Sequence, residues 1–371
     1  MHLTEMLAYR TTPGAAVFLA LTQRCPLRCR HCCTDSLMES EQHEESIFEG
    51  LVDSFTPDCR PKAVYLTGGE ALLRPGLVIR LTEKAHRVGS QIELISGMYF
   101  LRNKSVPPMV QRAIDGVDHF TASLDVFHEE QVDRIAVLDY LAGLIDAGKD
   151  VSLQVVGVDD EDPYLEAVTS DAVRVTGGRM PILVTHLSNI GRATDLFDHA
   201  PGGNVHELGS VSARPCELAS WPVVSYDGTV YACCNQEAIS RKGPDHLKIG
   251  HATDGWPTLL QRYRDTPFLR VVRVLGPQMI ATAVGQQATD DFCRTCMKTS
   301  QSPDSDDVLL GLTRTASFQR LETALEHVTK NKSADLLIGR HGSRRYAELA
   351  LLGAPGKPTP DTAADLIGVR Q

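Results

Sequence analysis

From Ala15 to about Ala200 the chain alternates short apolar runs with longer amphipathic stretches. The runs AVFLAL, AVYLT, IELIS, HFTASLD, VSLQVVGV and PILVTHL are rich in branched residues and read as six strands. Between the first two, SLMESEQHEESIFEGLVDSF carries Ile47, Phe48, Leu51, Val52 and Phe55 on one helical face. LVIRLTEKAHRV and VLDYLAGLIDAG have helical spacing too. Strand and helix alternating in this way predict an α/β fold, a parallel sheet with right-handed crossovers arranged as a partial (β/α)6 TIM-like barrel. In such folds the site forms at the C-terminal ends of the strands.

The residues with chemistry to offer fall at those ends. Directly after the first run, Cys25, Cys29 and Cys32 stand in a C-x3-C-x2-C spacing. An extended chain covers about 3.3 to 3.6 Å per residue, so this loop has slack to fold around a metal cluster. Protein 4Fe-4S clusters are usually held by four thiolates. A three-cysteine loop therefore borrows a fourth ligand or leaves one iron open to a small molecule. The alternative is a zinc site, which favours a second C-x2-C or a His pair nearby; none follows within the next 25 residues. After strand two comes Thr67-Gly68-Gly69-Glu70, after strand three Ser96-Gly97-Met98, and strand four ends in Ser123-Leu124-Asp125. Period-2 alternation puts Ser123 and Asp125 on one side. Strand six is followed by Asn189-Ile190-Gly191-Arg192-Ala193.

From about Ala213 cysteines return. Cys216 precedes WPVVSYDGTVYACC, where Asp227-Gly228 between alternating apolar runs predicts a hairpin. Cys233 and Cys234 end it, and Cys293 with Cys296 forms a later C-x2-C. Adjacent strand residues point to opposite faces, so only one of Cys233 and Cys234 can join the others, and the hairpin favours Cys233. Four thiols also suit tetrahedral zinc. Cys33 and Cys59 have no partner at ligand spacing and read as buried thiols.

Over roughly residues 15–200 these motifs, in their order, resemble the radical SAM (S-adenosylmethionine) superfamily, and the later cysteines resemble the Twitch domain, a shortened SPASM domain. The resemblance implies a 4Fe-4S cluster on Cys25, Cys29 and Cys32 whose open iron chelates SAM. It also implies that His31 packs near the adenine and that Gly68, Gly69 and Glu70 meet the SAM amino group. Ser96 is a partial match to a polar turn; Ser123 and Asp125 would meet the ribose, and Arg192 the carboxylate. An auxiliary 4Fe-4S cluster would sit on Cys216, Cys233, Cys293 and Cys296. The implied reaction is reductive cleavage of SAM to a 5'-deoxyadenosyl radical and hydrogen abstraction from a substrate, fed by a one-electron donor such as flavodoxin or ferredoxin. Relatives with such extensions oxidise or cross-link ribosomal peptides or dehydrogenate small metabolites such as aminosugars. A zinc-stabilised binding protein without turnover is the alternative of another class.

The expected division is an N-terminal segment (1–14), the barrel (15–200), the auxiliary cluster domain (210–300) and a tail (301–371) with helical spacing in FQRLETALEHV and a loop in GAPGKPTP, to which no function is assigned. A net charge of −10 argues against nucleic acid as the main partner. The longest early apolar run, AAVFLALT, is far shorter than the roughly 20 residues that span a bilayer, so no membrane association is expected. Ten cysteines without a signal peptide suggest metal or redox chemistry in the cytoplasm. Only 24 residues precede Cys25, too few for a leader-peptide-binding domain. A peptide substrate is thus expected to need a separate partner, or to be held by the barrel and the hairpin edge, with Trp221, Tyr226 and Tyr231 near the cluster.

Overall fold

The computed structural model describes residues 1–10, 12–103, 105–198, 213–239, 243–289, 291–299 and 301–354. The expected strands form as β1 (Ala16–Ala20), β2 (Ala63–Thr67), β3 (Gln91–Ser96), β4 (His119–Ser123), β5 (Asp150–Gly157) and β6 (Ile182–His186). Each pairs in parallel with the next, and β6 lies at one edge, so the barrel is partial and open. Of the helices α1 (Leu3–Tyr9), α2 (Ser46–Asp53), α3 (Pro75–Arg87), α4 (Pro108–Gly116), α5 (Val126–Glu129), α6 (Arg134–Asp146) and α7 (Pro163–Thr176), all but α1 lie in the crossovers. One face of the sheet is apolar. Val17, Leu19, Val64, Leu66, Leu94 and Phe120 share a buried core with Phe48, Leu51 and Val52 of α2 and with Leu77, Val78 and Leu81 of α3. The helix expected across residues 36–55 begins only at Ser46, because the polar stretch before it has other work. Leu37 and Glu41 accept from the backbone N–H groups of Cys25 and Gln23 at 3.2 and 3.1 Å, which straps that stretch to the cysteine loop.

The opposite face is filled by α1 with Arg10 and by part of the helix Ala316–His341. Arg10 lays its guanidinium 4.5 Å from the ring of Tyr65 and 4.6 Å from that of Trp221, and the Tyr65 hydroxyl donates to the Met6 carbonyl at 2.7 Å. Leu3 and Leu7 of α1 pack with Trp221 and with Leu337 and Ile338 of the C-terminal helix (Ala316–His341). Burying each such side chain contributes about 1.5 to 3 kcal/mol. Deeper in, Thr121 donates to Glu93 at 2.6 Å, and Ser152 bonds both Thr121 and His119 at 2.9 Å. The N-terminal segment and the front of the tail, which the sequence leaves without a role, thus close the inside of the barrel. The end of that tail, with most of GAPGKPTP, lies outside the described residues, as does the boundary expected at 200–210.

The auxiliary region continues the barrel sheet. The hairpin strands β7 (Val223–Val224) and β8 (Thr229–Tyr231) turn at Asp227-Gly228, and β9 (Lys248–His251) follows. β7 pairs in parallel with β1, β8 antiparallel with β7, and β9 antiparallel with β8, giving nine strands in one sheet. Both hairpin strands are therefore paired on both sides, which corrects the expectation of a free hairpin edge; the outer edge is β9. Among the described residues no helix is long and apolar enough to cross a membrane.

Candidate functional site

The cysteine loop leaves β1 and is gripped from two sides by backbone. On one side Gly69 N–H donates to the Thr22 carbonyl at 2.7 Å and Glu70 N–H to the Arg24 carbonyl at 2.9 Å. A Cβ on Gly68 (φ +140°) would meet Thr22 O at 2.4 Å, and one on Gly69 would meet Arg24 O at 2.4 Å. On the other side Arg192 donates its backbone N–H to Cys32 O and its Nε to Cys29 O, both at 3.1 Å. Its Nη1 reaches Asp35 and the Ser36 carbonyl at 3.0 Å. The glycine pair and the Gly-Arg turn, read from sequence as cofactor contacts, have the prior task of clamping this loop.

Asp125 organises the third side. Its Oδ1 caps α5, accepting from Phe127 and His128 N–H at 2.9 and 3.0 Å, and its Oδ2 lies 2.8 Å from His128 Nδ1 and 3.1 Å from His31 Nε2. Burial opposes its charge, yet the two imidazoles hold the carboxyl well below the usual range, and despite its own burial His128 is raised by Asp125. His31 stacks 4.7 Å from Phe127. Ser123 lies half-buried two residues before Asp125. Glu70 is 1% exposed and accepts from Leu72 N–H, Ser96 Oγ and Gly97 N–H, each at 3.0 Å. Burial raises it to about 7 against those bonds. It ties the ends of β2 and β3 together, where the sequence reading had an open acceptor. A cavity of about 800 Å³ opens beside these turns, walled by Thr22, Gly68, Gly69 and Gly191 of the barrel and by Tyr226 and Arg294 of the auxiliary region. Cys33, expected to be buried, faces it.

The second cysteine set converges. Cys216, Cys233, Cys293 and Cys296 line one small apolar cavity with Leu218, Leu269, Val272 and Phe292. The helix Phe292–Lys298 puts its two cysteines three positions apart, on one face. Cys234 packs instead against the cluster of Trp221 and Leu337; both cysteines lie beyond the end of β8 at Tyr231, so bent backbone rather than the expected strand alternation separates them. Burial, then the neighbouring thiols, push Cys216 and Cys233 up to about 12, and burial with the charge of Asp291 pushes Cys293 to about 11. Trp221 stacks 5.9 Å from Phe18 in the barrel floor and Tyr231 is buried, so of the three aromatics only Tyr226 reaches the large cavity.

Three thiols with one iron left open, or four thiols, are donor sets that a 4Fe-4S cluster takes, and four also suit zinc. Tetrahedral zinc with Zn–S of about 2.3 Å holds its sulfurs about 3.8 Å apart. Among the described residues no three cysteine sulfurs lie within 4.8 Å of one another; the trio that does is His31, Asp125 and His128, already joined by hydrogen bonds. Two buried polar atoms beside the first loop, His31 Nδ1 and Arg192 Nη2, have no hydrogen-bond partner, as polar ligand groups there would supply. His128 and Gln131, which also approach Cys29, were not singled out from sequence; the only signal was an Asp three positions before a His at a helix start.

No family model matches the chain. It is 26% identical over 222 residues to GTP 3',8-cyclase of Erythrobacter litoralis, covering 56% of this chain and 63% of that one. It is 27% identical over 133 residues to GTP 3',8-cyclase of Campylobacter fetus, covering 34% and 40%. The chain thus spans less than two thirds of the length of these curated relatives. Among solved structures it is similar to Streptococcus suis SuiB bound to precursor peptide SuiA (TM-score 0.48, 12% identity, 72% of this chain and 68% of that one). It is also similar to anSMEcpe with bound AdoMet and Cp18Cys peptide (0.46, 13%, 84% and 99%) and to BtrN in complex with AdoMet and 2-DOIA (0.43, 15%, 70% and 87%).

Proposed function

We propose that this chain, a member of the radical SAM superfamily, is an oxidoreductase that uses SAM to take a hydrogen atom from a peptide held in the cavity between barrel and hairpin. The observation that carries the reading is the cysteine loop clamped between Gly68-Gly69 and Gly191-Arg192 at the strand ends, beside that cavity. Cys25, Cys29 and Cys32 would hold a 4Fe-4S cluster which, with SAM and an electron from a donor such as flavodoxin or ferredoxin, supplies methionine and a 5'-deoxyadenosyl radical. Cys216, Cys233, Cys293 and Cys296 would hold an auxiliary cluster, with electron transfer or structure to contribute.

The chain's own residues bind, orient and exclude water. Gly68, Gly69 and Gly191 bring backbone to the cavity wall, where a side chain would collide with the loop. Asp125 fixes His31 and the α5 turn, and Glu70 fixes the strand ends. A volume of about 800 Å³ lies in the upper part of the range for ligand sites, with room for SAM and a substrate group beside it. Uncharged polar residues such as Thr22, Gln23, Ser225 and Gln236, which line it together with charged Asp35, Glu41, Glu237, Arg294 and Lys298, suit the amides of a peptide. A small metabolite such as an aminosugar is the second reading, favoured by the pairing of both hairpin strands, which removes strand addition there. The test is anaerobic reconstitution of the full chain, reduction with SAM, and incubation with deuterated candidates of each kind. Deuterium in 5'-deoxyadenosine from a peptide supports the proposal; transfer from a sugar-like metabolite alone selects the second reading. A colourless zinc protein that leaves SAM intact overturns both.

A further inference from the structure

Gln131 lies just beyond α5, the single turn that Asp125 caps, and its own N–H donates to the His128 carbonyl at 2.9 Å. Its side chain reaches back 102 positions to the cysteine loop and touches it twice. Oε1 accepts from the backbone N–H of Arg28 at 2.9 Å, and Nε2 lies 3.8 Å from the Cys29 sulfur. The two contacts fix the amide's orientation without any assumption about hydrogens. Arg28 N–H can only donate, so the atom facing it is the carbonyl oxygen and the amide NH2 must face the sulfur. Cys29 is 6% exposed, and a hydrogen bond to a charged sulfur in so dry a place acts with little screening.

We propose that Gln131 is a positioning residue that raises the reduction potential of the cluster on the first loop by donating to the Cys29 sulfur. This rests on the reading that Cys25, Cys29 and Cys32 hold that cluster. Reduction adds negative charge that spreads onto the ligand sulfurs, so a donor aimed at one of them stabilises the reduced state more than the oxidised one. Gln131 does not titrate, so the effect is independent of the protonation of His128, which approaches the same sulfur.

The experiment is an EPR-monitored redox titration of the reconstituted full chain, with the first-loop cluster identified by its response to added SAM. At the poise where the wild-type cluster is half reduced, Gln131→Met is expected to lower the reduced-to-oxidised ratio severalfold at equal iron content; tenfold would be about 59 mV for one electron. Gln131→Glu keeps the acceptor for Arg28, loses the donor and adds charge, so its potential is expected to fall further. An unshifted potential in Gln131→Met with iron intact overturns the proposal. If that variant loads no iron, Gln131→Glu decides, and a potential no lower than wild type overturns it. Absence of any SAM-responsive cluster in the wild type is a different result and overturns the underlying reading together with the proposal.

Discussion

The guanidinium of Arg192 donates to the carbonyl of Cys29 across 163 positions of sequence, so the turn after the last barrel strand grips the loop after the first. Gly191 makes the grip possible: its φ is +63° and a Cβ would stand 2.4 Å from Cys32 O. Backbone held in so unfavourable a region costs about 1 to 3 kcal/mol. Gly191→Ala is therefore expected to release the first loop and spare the second cysteine set. Reconstituted wild type should bind about eight irons, four per cluster, and the variant about four. Full iron content in Gly191→Ala would show that the turn does not hold the loop.

Glu70 supplies a second prediction. Its carboxylate accepts on both oxygens, from two backbone N–H groups and one hydroxyl. Glu70→Gln keeps the shape and turns one oxygen into an NH2 that faces a donor, which leaves buried groups unsatisfied at about 1 to 3 kcal/mol. The melting temperature should fall, and 5'-deoxyadenosine formation with it, while both sets of irons remain. Unchanged melting and unchanged SAM cleavage together would remove both the structural and the cofactor role of this carboxylate.

How far the sequence carried the reading follows from the kind of interaction involved. The strands and crossover helices were legible because Val17, Leu19, Val64 and Leu66 obey a period that local sterics and burial impose. Strand alternation does not decide between Cys233 and Cys234, because β8 ends at Tyr231 and both cysteines follow it in irregular backbone. What the sequence hid was non-local: nothing in TGGE says that its glycines make room for Arg24 O, and nothing in the first ten residues says that Arg10 will stack on Tyr65 and Trp221. Nor could a two-residue strand such as β7 announce that it would pair with β1. Gln131 escaped because one glutamine in a polar stretch has no periodic signal.

The barrel floor gives a pH dependence. His119 bonds the Met1 carbonyl and Ser152 Oγ at 2.9 Å, and burial lowers its pKa below the ordinary 6.5 against the opposing pull of Glu93 and Asp150. A base whose folded pKa is depressed binds fewer protons when folded, so stability is complete above the unfolded value and is lost as pH falls through 6.5 and below. Glu70, raised to about 7, acts in the opposite sense over part of this window, so the informative quantity is a difference between variants. Thermal melts of wild type minus those of His119→Gln should narrow as pH drops from 7 towards 5. A constant difference would mean that His119 does not titrate against folding.

The two adjacent cysteines of the hairpin offer the sharpest test of the second site. Cys233 lines the cavity of Cys216, Cys293 and Cys296, whereas Cys234, in the bent backbone just after β8, packs against the cluster of Trp221 and Leu337. Cys234→Ala removes only a small apolar contact and is expected to keep about eight irons. Cys233→Ala takes one ligand from a four-thiol set and should lose about four irons, or retain a labile cluster with an altered EPR signal. Because the first loop shares no ligand with this set, the Cys233→Ala chain should still form 5'-deoxyadenosine from SAM under reduction, while product formation from substrate should stop if the auxiliary cluster accepts the substrate's electron. Equal iron loss in both variants would mean that Cys233 is not singled out as the ligand, and full turnover in Cys233→Ala would confine the second cluster to a structural role.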